Sequence, residues 1–282
     1  MRPLVELVGA GYAYEDGPAV LSGVDFGITE GRALVLLGRN GSGKTTLMRL
    51  LSGGLRPGRG ELHLDGSAVR HDRAGLTQLR RAVQLVVQDP DDQLFAASVE
   101  QDVSFGPMNM GLAQAQVRER VEAALAALGI TALRDRPTHL LSYGQRKRAA
   151  IAGAVAMAPR VLILDEPTAG LDPEGQERLL DVLAGLTDTT VVMATHDVDL
   201  AVRWADDAAV LTPSGIRTGP AGDLLRDPAL LAEAGLRQAW SPAVTAFLRA
   251  HGHLSPGLPG PRTPQALSAW GAARGGPGPE QT

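Results

Sequence analysis

Of the 27 basic residues in the chain only two are lysine, and one of these, Lys44, stands inside the string Gly38-Arg-Asn-Gly-Ser-Gly-Lys-Thr-Thr46. That spacing is the pattern of a phosphate-binding loop. Gly38, Asn40, Gly41, Ser42 and Gly43 let backbone N–H groups curl around phosphate oxygens, Lys44 brings a compact ammonium to the β and γ phosphates of a nucleotide, and Thr45 and Thr46 begin the helix behind them. Arginine's wide planar fork does not fit the same hole. Two further strings could complete the chemistry: Asp165-Glu166-Pro167 follows the aliphatic run 161–164, and Thr195-His196-Asp197 follows the run 191–194. Carboxylates directly after a buried strand are costly unless they meet a cation. Asp165 is therefore expected to hold Mg2+ through water beside Thr45, and Glu166 to orient and polarise a water attacking the γ-phosphate.

Such residues work only if regular elements converge on them. The apolar run 33–37 reads as a buried strand, 38–43 as a loop and 45–51 as a helix, the order the phosphate motif requires. The continuous aliphatic runs predict parallel strands covered on both faces, with ligands at their carboxyl ends, where Asp165, Glu166 and His196 fall. Further strands are expected at 4–8, 24–28 and 61–64, separated by glycine and proline turns. From about 98 to 157 the pattern becomes helical, with a helix over 115–128 whose wet face carries Arg118, Glu119, Arg120 and Glu122. A short helical tail is expected over 223–251, then a proline- and glycine-rich end in which 271–282 is disordered.

The expected fold is α/β: a mostly parallel core sheet, an N-terminal antiparallel β subdomain, an inserted helical subdomain and a short helical C-terminal extension. The boundaries are 3–222 for the nucleotide-binding unit and 223–270 for the extension.

Composition excludes several classes. The formal net charge is −4, so no general basic field invites nucleic acid, and the absence of cysteine removes disulfides, thiolate nucleophiles and cysteine metal sites. His251 and His253 could share a face, but no third ligand lies near them in sequence, and they are not read as a metal site. The first residues lack the apolar core of a secretory signal, so a cytoplasmic location is expected. No apolar run approaches 18 residues, so a membrane role must come through a partner.

Four further strings, in order, make the chain resemble the ATP-binding cassette (ABC) ATPases. Gln88 follows a strand expected at 83–87 and matches the Q-loop glutamine, which the resemblance places beside the metal with Thr45 and Asp165. Leu141-Ser-Tyr-Gly-Gln145 matches the family signature, Ala169-Gly-Leu-Asp172 the D-loop, and His196 the switch histidine. Tyr14 is placed like the aromatic that stacks on adenine, with Tyr12 a competing choice. The resemblance implies ATP hydrolysis with Mg2+, and a homodimer or a heterodimer with a homologous ATPase, because Ser142, Gly144 and Gln145 would close over nucleotide held by the opposite subunit. Tyr143 departs from the family, which usually carries glycine there, and bears on how tightly that closure is made.

The stretch 87–112, beginning Val87-Gln-Asp-Pro-Asp-Asp-Gln-Leu-Phe95, is similar to the ATPases of energy-coupling factor (ECF) importers, which take up cobalt, nickel or vitamins. This implies an ATPase at the cytoplasmic face of the membrane, held there by an integral coupling subunit and a substrate-binding membrane subunit, with Gln93, Leu94 and Phe95 at the partner contact. The residues agree: Pro90, Asp91 and Asp92 make a turn and helix start that would leave Leu94 and Phe95 exposed. Two rival classes fit the sequence less well. A soluble cassette ATPase of translation or DNA repair usually carries two cassettes or a coiled-coil insertion, and neither appears. A regulator without hydrolysis does not need Glu166, Gln88 and His196.

Overall fold

The computed structural model describes residues 3–15, 17–255, 258, 260–261 and 266–270. Its first strands, β1 (Val5–Ala13) and β2 (Ala19–Ile28), pair antiparallel. After β3 (Leu34–Leu37) and α1 (Lys44–Leu51), β4 (Arg59–Leu64) returns to pair with β1, and the short β5 (Ser67–Ala68) pairs with β4. This gives a four-stranded antiparallel sheet in the order β2-β1-β4-β5.

The core sheet is built from β3 and from strands further along the chain. Helix α2 (Arg73–Ala82) leads into β6 (Val83–Val86), and α3 (Val99–Asn109), α4 (Gln114–Ala127) and α5 (Tyr143–Val155) lie between β6 and β7 (Val161–Asp165). Then come α6 (Pro173–Ala184), β8 (Thr190–Thr195), α7 (Val198–Trp204) and the hairpin β9 (Asp207–Thr212) and β10 (Gly215–Pro220). The six strands run in the order β10-β9-β3-β8-β7-β6. All neighbours are parallel except the antiparallel edge pair β9–β10. Helices α8 (Ala221–Leu224), α9 (Pro228–Glu233) and α10 (Trp240–Ala250) follow. The segment 271–282, expected to be disordered, lies outside the described residues.

Strand periodicity explains how three layers share one sheet, because successive side chains leave opposite faces. Leu34, Leu36, Val161 and Ile163 face the antiparallel sheet and α1, in a core with Leu7, Phe26, Leu47 and Leu62. Leu162, Leu164, Val191 and Met193 face the helices, packing with Val103, Leu125, Ile151 and Leu179. Val35, Leu37 and Val210 meet Val198 of α7 and Leu230 and Leu231 of α9. Both faces are covered, so β7 is buried along its whole length and reads as an unbroken apolar run. Truncating one such side chain, Leu164→Ala, would cost about 2–5 kcal/mol.

Local chemistry sets the element ends. Asp72, Ser98, Asp172 and Asp197 each cap a helix by accepting a backbone N–H. The two sheets are pinned together by Arg160, whose guanidinium meets Glu30 at 2.7 Å before β3 and Asp65 at 2.8 Å in the β4–β5 turn.

Candidate functional site

The carboxyl ends of β3, β8 and β7 lie side by side, and the chain leaving β3 and β7 lines a cavity of about 430 Å3. Residues 40–46 of the phosphate loop line it together with Tyr14, Gln88, Asp165 and Glu166. The loop bends through Gly41 at φ +79° and Gly43 at φ +98°, a region that side chains with a Cβ rarely enter. Gly43 is the N-cap of α1 and supplies no side-chain cap, so the first N–H groups of this helix remain open to an anion. Gly38 is required for space: a Cβ there would lie 2.6 Å from Ser42 Oγ.

Two observations test whether these residues fit a nucleotide and a divalent ion. Ser42 Oγ is buried without a hydrogen-bond partner, an orphan in the concavity of the loop. Thr45 donates its hydroxyl to Asp165 Oδ2 at 3.0 Å, so two hard oxygen donors already meet, with the Gln88 side chain on the same cavity. That donor set suits Mg2+ better than a soft metal. The Lys44 ammonium rests on the carbonyls of Gly38 at 2.6 Å and Arg39 at 3.3 Å, and burial lowers its pKa against the pull of Glu166 and Asp165. Burial raises the Asp165 carboxyl, with the Thr45 hydrogen bond opposing the shift and Glu166 adding to it. Both groups are short of solvation, a condition that an added phosphate and cation relieve together.

Glu166 is held from several directions. Its Oε1 meets His196 Nδ1 at 2.7 Å, and its Oε2 accepts from the Thr195 hydroxyl at 3.2 Å. Its backbone N–H donates to Ala194 O at 2.9 Å, and its φ is +45°, a strained value for a residue with a Cβ. The carboxylate is thus fixed in place, 7% exposed, where it lines the cavity beside the phosphate loop.

Of the two tyrosines, Tyr14 lines the cavity, 43% exposed, with its hydroxyl 3.2 Å from Thr46 Oγ1. Tyr12 packs half-buried on the N-terminal core and meets Tyr14 edge-on at 5.0 Å. Ser142, Gly144, Gln145 and Asp172 do not line this cavity. Ser142 is exposed and caps α5, accepting from Gln145 N at 3.3 Å while its own N–H donates to Gln145 Oε1 at 2.9 Å. Tyr143 folds back onto its own chain: a Cβ on Gly170 would lie 2.7 Å from its ring.

The three residues expected at the partner contact differ in exposure. Leu94 is not exposed; the turn Pro90–Asp92 ends with Leu94 N–H donating to Pro90 O at 2.9 Å, and its side chain packs half-buried on the helical core. Gln93 is likewise engaged at home, accepting from Val87 N at 3.3 Å and donating to Ala150 O at 3.4 Å. Phe95 alone of the three is exposed, at 65%, with Phe105 edge-on at 4.7 Å. Both rings border a groove of about 550 Å3 between β6, α2 and the helices α3 and α5.

Two residues near Glu166 carry no motif of their own. Thr195 is a strand-end hydroxyl. Lys147 is 1% exposed, donates to the carbonyls of Glu166 and Ala169, and is pushed down to about 8 by burial, against the pull of Glu166, Asp165 and Asp89. Its only sequence signal is the rarity of lysine in this chain.

The ABC transporter family model matches residues 21–169. A Streptomyces coelicolor protein named as an ABC transporter ATP-binding protein is 69% identical over 268 residues, 94% of each chain. The cobalt import ATP-binding protein CbiO of Rhodobacter capsulatus is 52% identical over 240 residues, covering 84% of this chain and 86% of that protein. Among solved structures, cbiO1 of Clostridium perfringens, described as part of the ABC transporter complex cbiONQ, superposes with a TM-score of 0.74 at 38% identity, over 88% of this chain and all of the other.

Proposed function

The chain belongs to the ABC transporter family, and on that premise we propose that it is the ATP-hydrolysing subunit of an ECF-type importer whose cargo is cobalt or another transition metal ion. The observation that carries the hydrolytic part is the convergence of Thr45–Asp165 and His196–Glu166 on the cavity beneath the phosphate loop. The loop amides and Ser42 hold the phosphates, Lys44 faces the β and γ groups, and Tyr14 takes the adenine. Thr45, Asp165 and Gln88 hold Mg2+, which when bound offsets phosphate charge. Glu166 orients the attacking water, and His196 keeps the carboxylate aimed.

Ser142, Gly144 and Gln145 lie off this cavity at a helix N-terminus where Ser142 is exposed and the other two are half-buried, so they complete a second copy's site rather than their own. The working unit is a dimer, of this chain or with a homologous ATPase, enclosing two composite sites. Among the described residues no helix is long and apolar enough to cross a membrane. Attachment to the cytoplasmic face runs through membrane subunits, with the groove beside Phe95 and Phe105 receiving an apolar segment of the coupling subunit. The similarity to the cobalt import protein and to the cbiONQ component supports the importer class.

The test is reconstitution with the membrane proteins encoded by neighbouring genes, and measurement of ATP-driven uptake of labelled cobalt, nickel and a panel of vitamins into vesicles. ATP-dependent accumulation of cobalt or nickel is the expected result. Accumulation of a vitamin alone would reassign the cargo, and no association with any membrane subunit would overturn the importer reading.

A further inference from the structure

Both lysines of this arginine-rich chain are buried beside the nucleotide site, Lys44 at 7% exposure and Lys147 at 1%. The phosphate loop explains the first. The second projects from the first turns of α5 into the molecule, donating to Glu166 O at 2.8 Å and Ala169 O at 3.0 Å and lying 5.3 Å from the centre of the Tyr143 ring. An ammonium has three tetrahedral N–H groups and no acceptor. Here two go to carbonyls and the cation also lies over an aromatic face. A planar guanidinium cannot converge on the same three partners in so closed a space.

The carbonyls that Lys147 holds are not ordinary ones. Glu166 adopts φ +45°, its N–H is tied to Ala194 O, and its two carboxylate oxygens are tied to His196 and Thr195. Its carbonyl is the remaining handle, and Lys147 takes it. Ala169 opens the segment 169–172 that ends in Asp172, the cap of α6. The same helix that carries Lys147 begins at Ser142, whose exposed end is assigned above to the opposite nucleotide.

We propose that Lys147 is a positioning residue that links the signature end of α5 to the backbone of Glu166 and Ala169, so that the hydrolytic carboxylate is aimed only while α5 is seated. The link rests on the reading of Glu166 as the water-orienting group. Tyr143 belongs to it, because its ring lies against both Lys147 and Gly170. A glycine in its place would leave the ammonium without its third partner.

The test compares the full-length wild type with Lys147→Met, Lys147→Gln and Lys147→Arg for steady-state ATP hydrolysis, titration with a non-hydrolysable ATP analogue, and thermal melting. Lys147→Met should lower kcat at least tenfold, with KM and analogue affinity within threefold of wild type. Lys147→Gln, which keeps an N–H donor toward the carbonyls, should recover part of kcat, and Lys147→Arg should not. A Lys147→Met protein that melts as a folded chain and hydrolyses ATP like wild type overturns the link. So does a series in which kcat falls only in step with analogue binding or with loss of the folded state. A Glu166→Gln protein that keeps wild-type turnover overturns instead the assignment of Glu166 on which the link rests.

Discussion

His196 Nδ1 lies 2.7 Å from Glu166 Oε1, so the ring after β8 and the carboxylate after β7 form one hydrogen-bonded unit. The ring is largely exposed and the carboxylate is not. In the proposed mechanism His196 is thus the exposed restraint on a buried carboxylate. His196→Ala should lower kcat about a hundredfold, the scale set by misplacing a reacting group by about 1 Å, with analogue affinity unchanged. Single-turnover hydrolysis separates the two; a variant with wild-type kcat would remove the histidine from the account.

Lys44→Arg keeps the charge and changes the shape. The ammonium occupies a nearly closed concavity of its own loop, 2.6 Å from Gly38 O, which leaves no room for a fork. Affinity for a non-hydrolysable ATP analogue should fall at least tenfold, about 1.4 kcal/mol, by isothermal titration. Unchanged affinity would mean that the loop does not grip phosphate in the way its geometry suggests.

The placement of the candidate site is legible in the sequence because its polar residues fall at the ends of buried strands, where a polar group needs a reason to be present; Asp165, Glu166 and His196 all sit at such ends. Lys147 was not, because its partners are carbonyls 19 and 22 residues away, and a backbone acceptor leaves no mark in a side-chain pattern. Leu94 misled for a similar reason. Composition marks 90–92 as a turn, but which way the next side chain points depends on the hydrogen bond from Leu94 N to Pro90 O, which composition does not specify. The hairpin β9–β10 is hard to read because Gly215, Gly219 and Pro220 break the alternation of its outer strand, which is tolerable only at the sheet edge.

Phe95→Asp tests the membrane contact. The ring is exposed on the isolated chain, so the substitution should leave folding and analogue affinity within about threefold of wild type, roughly 0.65 kcal/mol. It should abolish cosedimentation with the membrane subunits and uptake, because the contact would bury an unpaired carboxylate. A variant that still sediments with its partners and still drives uptake would make the groove beside Phe105 an ordinary surface.

Gly170→Ala tests the packing of Tyr143 on the segment 169–172. Gly170 has φ +75°, and an added Cβ would lie 2.7 Å from the Tyr143 ring, so strain and clash together should destabilise the fold by about 1–3 kcal/mol. Combining it with Tyr143→Gly should relieve the clash and leave the backbone strain. In urea unfolding the two substitutions should be coupled by at least about 0.5 kcal/mol. Additive effects would mean that the ring does not rest on Gly170 in solution.

The most direct test of ATP hydrolysis at this site is Glu166→Gln, measured for steady-state turnover and nucleotide binding on the same preparation. The substitution removes the carboxylate proposed to aim the water and leaves the phosphate loop, Thr45 and Asp165 in place. Turnover should fall at least a thousandfold while ATP affinity stays at or above that of wild type. Turnover within a factor of two of wild type would contradict the assignment of Glu166, and with it the mechanism built on the cavity between β3, β7 and β8.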